Sequence, residues 1–182
     1  MLLNKKLLPF IATLFNLTFG ILSMAMTSLG YLNLSAIFIL IGGCFDIFDG
    51  LVARKINSTS QIGKQTDSLA DLVTFGISPA FLYFKSSYSP YLSFKLFVII
   101  FYISCAALRL ARFNVLTSGI KDGYFVGLPT TVAGCGIASS FLFSMGFHLP
   151  YMEWAYLIIF ILLSLLMISD FRYPKLILIL KK

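Results

Sequence analysis

The stretch Asp46-Ile47-Phe48-Asp49-Gly50-Leu51-Val52-Ala53-Arg54, followed after eight residues by Gly63-Lys64-Gln65-Thr66-Asp67-Ser68-Leu69-Ala70-Asp71, holds four of the seven acidic residues of a 182-residue chain. Both segments adjoin long apolar runs, where a lone Asp costs about 2.5–3.5 kcal/mol on insertion scales. Four carboxylates so close together also repel one another unless they are protonated or neutralised by cations. Their spacing points to the second solution. Asp46, Asp49, Gly50 and Ala53 fall at i, i+3, i+4 and i+7, one stripe of an α-helix, and Gly63, Asp67 and Asp71 fall at i, i+4 and i+8, nearly one stripe of the next. Two antiparallel helices joined by a short polar connection can turn both stripes inward, so that the acids converge. Oxygen donors without His or Cys suit Mg²⁺, Mn²⁺ or Ca²⁺ rather than zinc or copper. Gly50, Ala53 and Gly63 keep bulk away from the acids and leave a cleft, with Arg54 and Lys64 at its rim. Metal-binding acids, an open cleft and neighbouring cations together describe a diphosphate site.

Outward from this segment the chain is apolar. Hydrophobic residues make up 59% and charged residues 12%, with a mean hydropathy of +0.93, too little polar surface to coat a soluble globule. A membrane helix needs about 20 apolar residues. Segmentation at polar and turn residues gives six spans, near 8–29, 32–53, 67–84, 92–112, 127–147 and 152–170. The expectation is an all-α, integral membrane six-helix bundle forming one membrane domain over 1–182. Lys5-Lys6 before an apolar run imitates a signal peptide, but no small-x-small cleavage site follows and more hydrophobic spans do, so a retained first helix is expected. Cys44, Cys105 and Cys135 lie far apart in apolar stretches and read as reduced, buried small residues.

Assigning successive connections to alternate sides places Lys5, Lys6, Arg54, Lys55, Lys64, Arg109, Arg112, Lys121, Arg172, Lys175, Lys181 and Lys182 together, against Lys85 and Lys95 alone. The positive-inside rule then puts the acid cluster and both termini on the cytoplasmic side of the cell membrane. The net charge of +7 follows from this topology and from attraction to anionic lipid headgroups. The basic residues form no stripe interleaved with aromatics, so nucleic acid is not expected as a partner.

The quoted segment resembles the CDP-alcohol phosphotransferase signature, D-x2-D-G-x2-A-R-x8-G-x3-D-x3-D, at every specified position and at both spacings. The resemblance implies a six-helix fold with a two-metal site, Mg²⁺ or Mn²⁺, at the cytoplasmic end of the bundle. It implies that Asp46, Asp49 and Asp67 are metal ligands and that Asp71 completes the site and acts as general base. Gly50, Ala53 and Gly63 would make room for the cytidine nucleotide of CDP-diacylglycerol, Arg54 would face its phosphates, and Asn16 resembles an asparagine the family places beside the nucleotide. A homodimer is also implied.

The acceptor is a separate question. Leu108-Arg109-Leu110-Ala111-Arg112-Phe113-Asn114, Phe125-Val126-Gly127-Leu128-Pro129 and Met167-Ile168-Ser169-Asp170-Phe171-Arg172-Tyr173-Pro174, with the run from Asp67 to Gly76, look like the phosphatidylserine synthase branch in its short bacterial form. L-serine is therefore the expected acceptor. Arg109 and Arg112, with Asn114 just beyond, read either as positive-inside anchors or as groups that bind the serine carboxylate or the lipid phosphate through the planar guanidinium fork. Two other readings stand beside this one: another family member, such as a phosphatidylglycerophosphate synthase, and a divalent-cation transporter, since acids in membrane helices also line ion paths. A transport path would spread polar groups through the bilayer depth, whereas these acids gather toward one face.

Overall fold

The computed structural model describes residues 2–56, 61–86, 92–116, 124–144, 152–170 and 172–174; for 2–9, 49, 52–56, 116, 124–126, 152, 153 and 172–174 it describes the backbone alone. The chain folds into α1 (Leu2–Ser28), α2 (Leu32–Ile56), α3 (Gln61–Asp71), a π-helical segment (Leu72–Ile77), α4 (Ser78–Ser86), α5 (Leu92–Leu116), α6 (Thr130–Ser144) and α7 (Met152–Ile168). Helix thus runs without a break from Gln61 to Ser86. It begins before residue 67, the expected start of the third span, because the polar residues from Gln61 to Thr66 extend the helix beyond its apolar part. The sixth element starts late for the opposite reason: Gly127, at φ 76, and Pro129 delay α6 until Thr130.

A short antiparallel ribbon accompanies the helices, with β1 (Tyr124–Val126) pairing with β2 (Arg172–Pro174) in the register Phe125 to Tyr173. Helical periodicity carries no signal for it, since three residues are too few to show alternation.

The α1–α2 hairpin turns at Gly30, φ 87. Gly30 N–H donates to the Thr27 carbonyl at 3.1 Å and Tyr31 N–H to the Met26 carbonyl at 2.9 Å. This is the paired bonding of a Schellman cap, with glycine where the backbone turns left-handed. Phe45 then stacks on Phe15 and Phe19, at 5.3 and 5.4 Å between centroids, and zips the two helices together. Below the stack the contact is polar: Ser35 Oγ lies 2.9 Å from Ser23 Oγ and 2.7 Å from Thr27 Oγ1, all three buried. Across the bundle, Phe160 of α7 meets Tyr83 of α4 and Tyr102 of α5 at 5.0 and 4.9 Å.

The π-helical segment occupies the centre, and three other helices reach it through glycines. A Cβ on Gly20 of α1 would stand 2.4 Å from Thr74 Oγ1, one on Gly42 of α2 2.7 Å from Thr74 Cγ2, and one on Gly134 of α6 2.6 Å from Phe75 Cβ. Tyr102 donates its hydroxyl proton to the Phe75 carbonyl at 2.8 Å, and the Ser78 hydroxyl bonds both Val73 and Gly20 carbonyls at 2.9 Å. Carbonyls loosened by the wider π turn therefore meet side-chain donors in a dry interior.

Large apolar side chains cover the outside, among them Phe143 at 74% and Ile62 at 76% exposure, with Phe48, Phe97, Ile100 and Leu108 also exposed. Apolar outside and hydroxyl-lined inside is the arrangement for lipid contact. Two described stretches, Phe10–Ser28 and Leu92–Val115, are long and apolar enough to cross a bilayer; Leu32–Phe48, Thr130–Ser144 and Trp154–Ile168 are shorter apolar helices.

Candidate active site

The C-terminal parts of α2, α3 and α5 and the N-terminal part of α6 meet at one end of the bundle, and the acids are there. Each of Asp46, Asp67 and Asp71 offers a carboxylate oxygen, and these oxygens lie within 4.8 Å of one another. Asp71 is buried at 8% exposure. Asn16, wholly buried on α1, donates from Nδ2 to Asp71 Oδ1 at 3.0 Å, while its backbone carbonyl accepts from Thr74 Oγ1 at 3.0 Å. Thr131 of α6 donates to Asp46 Oδ2 at 2.7 Å. Asp67 Oδ1 is buried without a hydrogen-bond partner.

These residues fit a divalent cation. The donors are hard oxygens, such cations bind oxygen at about 2.0–2.6 Å, and a carboxylate oxygen left buried and unpaired needs a compensating charge or donor. Asp49 belongs to the same helical stripe, but its side chain, like those of Ala53 and Arg54, lies outside the described residues. Gly50 and Gly63 are partly buried, on the helix parts that flank the acids.

Of the two arginines expected near the acceptor, the structure brings one to the acids. Arg109, 9% exposed, donates from Nη1 to Thr130 Oγ1 at 3.1 Å, lies over the Phe113 ring at 5.5 Å and interacts electrostatically with Asp71 and Asp46. Its Nε is buried without a hydrogen-bond partner. Arg112 points elsewhere: it pairs with Asp170 and reaches the Ile168 carbonyl at the end of α7 at 3.4 Å. Asn114 joins α5 to α3, donating to Ser68 Oγ at 2.8 Å while its carbonyl accepts from Lys64 Nζ at 3.1 Å. Lys64 also lies 5.7 Å from the Phe113 ring centre, so one aromatic ring steadies two cations.

Thr130, Thr131 and Thr74 are absent from the sequence-level site. A hydroxyl beside an apolar run carries no spacing signal, and the one available hint is the Thr pair directly after the Gly127-Leu128-Pro129 turn.

With acids on two facing helices at one end of an apolar bundle, placed where they could hold a divalent ion, the chain belongs to the CDP-alcohol phosphatidyltransferase family, whose sequence profile matches residues 6–171. Among curated proteins it is similar to the archaetidylserine synthase of Methanothermobacter thermautotrophicus, 39% identical over 96% of this chain and 75% of that one. It is also similar to the CDP-diacylglycerol--serine O-phosphatidyltransferases of Methanocaldococcus jannaschii, 36% identical over 90% of this chain and 71% of that one, and of Bacillus subtilis, 36% identical over 75% and 77%.

Proposed function

We propose that this protein transfers the phosphatidyl group of CDP-diacylglycerol to the hydroxyl of L-serine, giving phosphatidylserine and CMP. The observation that carries the reading is the convergence of Asp46, Asp67 and Asp71 within 4.8 Å beside the buried, cationic Arg109. The relatives named above, with either lipid, share serine in their names.

Asp46, Asp49 and Asp67, with Asp71, would hold two divalent ions, Mg²⁺ or Mn²⁺. When bound, divalent cations offset the charge of the diphosphate and of the departing CMP. Asp71 takes the proton of the serine hydroxyl as its oxygen attacks the lipid-linked phosphorus. The bond from that phosphorus to the CMP oxygen breaks, in one displacement with inversion and no covalent intermediate. Asn16 keeps the Asp71 carboxylate oriented through its 3.0 Å bond. Gly50, Ala53 and Gly63 leave space for the cytidine nucleotide and Arg54 faces its phosphates. Arg109 receives the serine carboxylate, since its unpaired Nε and planar fork suit a carboxylate.

In the same reading the chain is one membrane domain with six spans, both termini and the acid cluster face the cytoplasm, and the protein acts as a homodimer. The twelve-to-two distribution of basic residues supports the orientation; crosslinking in native membranes tests the dimer.

The test of the activity is an assay of purified protein with CDP-diacylglycerol, Mg²⁺ or Mn²⁺ and one alcohol at a time. CMP release with serine alone is expected. Release with glycerol 3-phosphate and none with serine would replace the acceptor, and divalent-ion flux into liposomes without CMP release would replace the enzyme by a transporter.

A further inference from the structure

The first two residues of α6 touch the two oppositely charged parts of the site. Thr131 Oγ1 donates to Asp46 Oδ2 at 2.7 Å, and Thr130 Oγ1, buried at 1% exposure, accepts from Arg109 Nη1 at 3.1 Å. Consecutive residues on a helix point about 100° apart, given 3.6 residues per turn, so one backbone position sends one hydroxyl to the acid and the next to the guanidinium.

That position is itself fixed. Leu128 N–H donates to the Leu166 carbonyl of α7 at 3.0 Å, and Pro129 O accepts from Ala133 N–H at 3.1 Å to open α6. Gly127 adopts φ 76 with its Cα so close to α7 that a Cβ would stand 2.4 Å from the Met167 carbonyl oxygen. The β1–β2 ribbon joins the same two segments, and Arg112 ties α5 to the Ile168 carbonyl at the end of α7 and to Asp170 just past it. The start of α6 therefore cannot slide or rotate without breaking contacts to α2, α5 and α7.

We propose that Thr131 and Thr130 are a pair of positioning residues with divided duties: Thr131 orients Asp46 for the metal, and Thr130 orients Arg109 for the carboxylate of the acceptor. Neither hydroxyl touches a reacting atom. The Thr131 bond occupies one lone pair of Asp46 Oδ2 and sets the direction of the remaining ones. The Thr130 bond holds one arm of the guanidinium and leaves Nε toward the acceptor. The inference rests on the functional reading above.

A bond to a charged group is worth enough for about a tenfold change when it is removed. Thr131→Val keeps the shape and loses the hydroxyl; it is expected to weaken Mn²⁺ binding, read by electron paramagnetic resonance of free Mn²⁺ without lipid substrate, by about tenfold, with the acceptor KM unmoved. Thr130→Val is expected to raise the acceptor KM by about tenfold and leave Mn²⁺ binding unmoved. Thr131→Ser and Thr130→Ser restore each quantity, and should a valine variant fail to fold, Thr131→Ala or Thr130→Ala takes its place. A crossed pattern supports the division. The same loss in both quantities from either variant, or no change from either, overturns it. Asp46→Asn separates the two readings: if that variant binds Mn²⁺ normally, the metal reading fails, whereas if it loses Mn²⁺ while Thr131→Val does not, the positioning role alone fails. The KM arm uses whichever acceptor the unaltered enzyme consumes.

Discussion

Asn16 and Asp71, 55 residues apart in sequence, share a buried hydrogen bond of 3.0 Å from the amide Nδ2 to the carboxylate Oδ1. An acceptor-only carboxylate and a two-donor amide are complementary, so the first helix holds the group assigned as general base. The Asn16 carbonyl in turn accepts from Thr74, in the π-helical segment just past Asp71, so α1 grips both the carboxylate and the backbone turn behind it.

Asn16→Ala is therefore expected to lower kcat by about tenfold, the scale of a hydrogen bond to a charged group, with a smaller effect on nucleotide binding. Steady-state CMP release against nucleotide affinity checks it; an unchanged kcat would remove Asn16 from the site.

Asp71→Asn is expected to retain metal-dependent nucleotide binding and lose turnover by about 10²–10⁴-fold, the usual contribution of a general base. Asp46→Asn and Asp67→Asn weaken metal-dependent binding as well. Full activity in Asp71→Asn would reassign the base.

Chelation of divalent ions is expected to abolish CMP release, and Mg²⁺ or Mn²⁺ to restore it, because the cluster found among the described residues is made of three carboxylates. Recovery is followed by titrating each ion back into the chelated protein; activity that survives chelation contradicts the metal site.

Arg109→Lys is expected to raise the serine KM, since an ammonium lacks the planar fork. Arg112→Ala is expected to change stability by only about 0–1 kcal/mol, because its pair with Asp170 is exposed. Kinetics of the first and thermal unfolding of the second, both in detergent, test the contrast.

Gly134→Ala places a methyl 2.6 Å from Phe75 Cβ, and overpacking of that kind costs about 1–3 kcal/mol. Gly136→Ala, two residues on, meets nothing within 4 Å and serves as its control. The first is expected to lower the unfolding temperature, and the second, which adds only helix propensity, to leave it no lower than that of the unaltered protein.

The sequence by itself determined the helical class, the family and the three acids that meet, because helical spacing is periodic and buried charge is rare enough in an apolar chain to be conspicuous. Asn16 was legible as a family asparagine, though its bond to Asp71 was not. Tertiary structure decided the rest. The α1–α2 hairpin and the start of α6 bring Asn16 and Thr131 to the acids from 55 and 85 residues away, and Thr130 to Arg109. The π turn at Leu72–Ile77, the glycines packed on it, the β1–β2 ribbon and the separation of Arg109 from Arg112 have no periodic trace in the chain. Such features depend on which side chains arrive from other helices, and a hydroxyl or a glycine looks the same in sequence wherever the fold puts it.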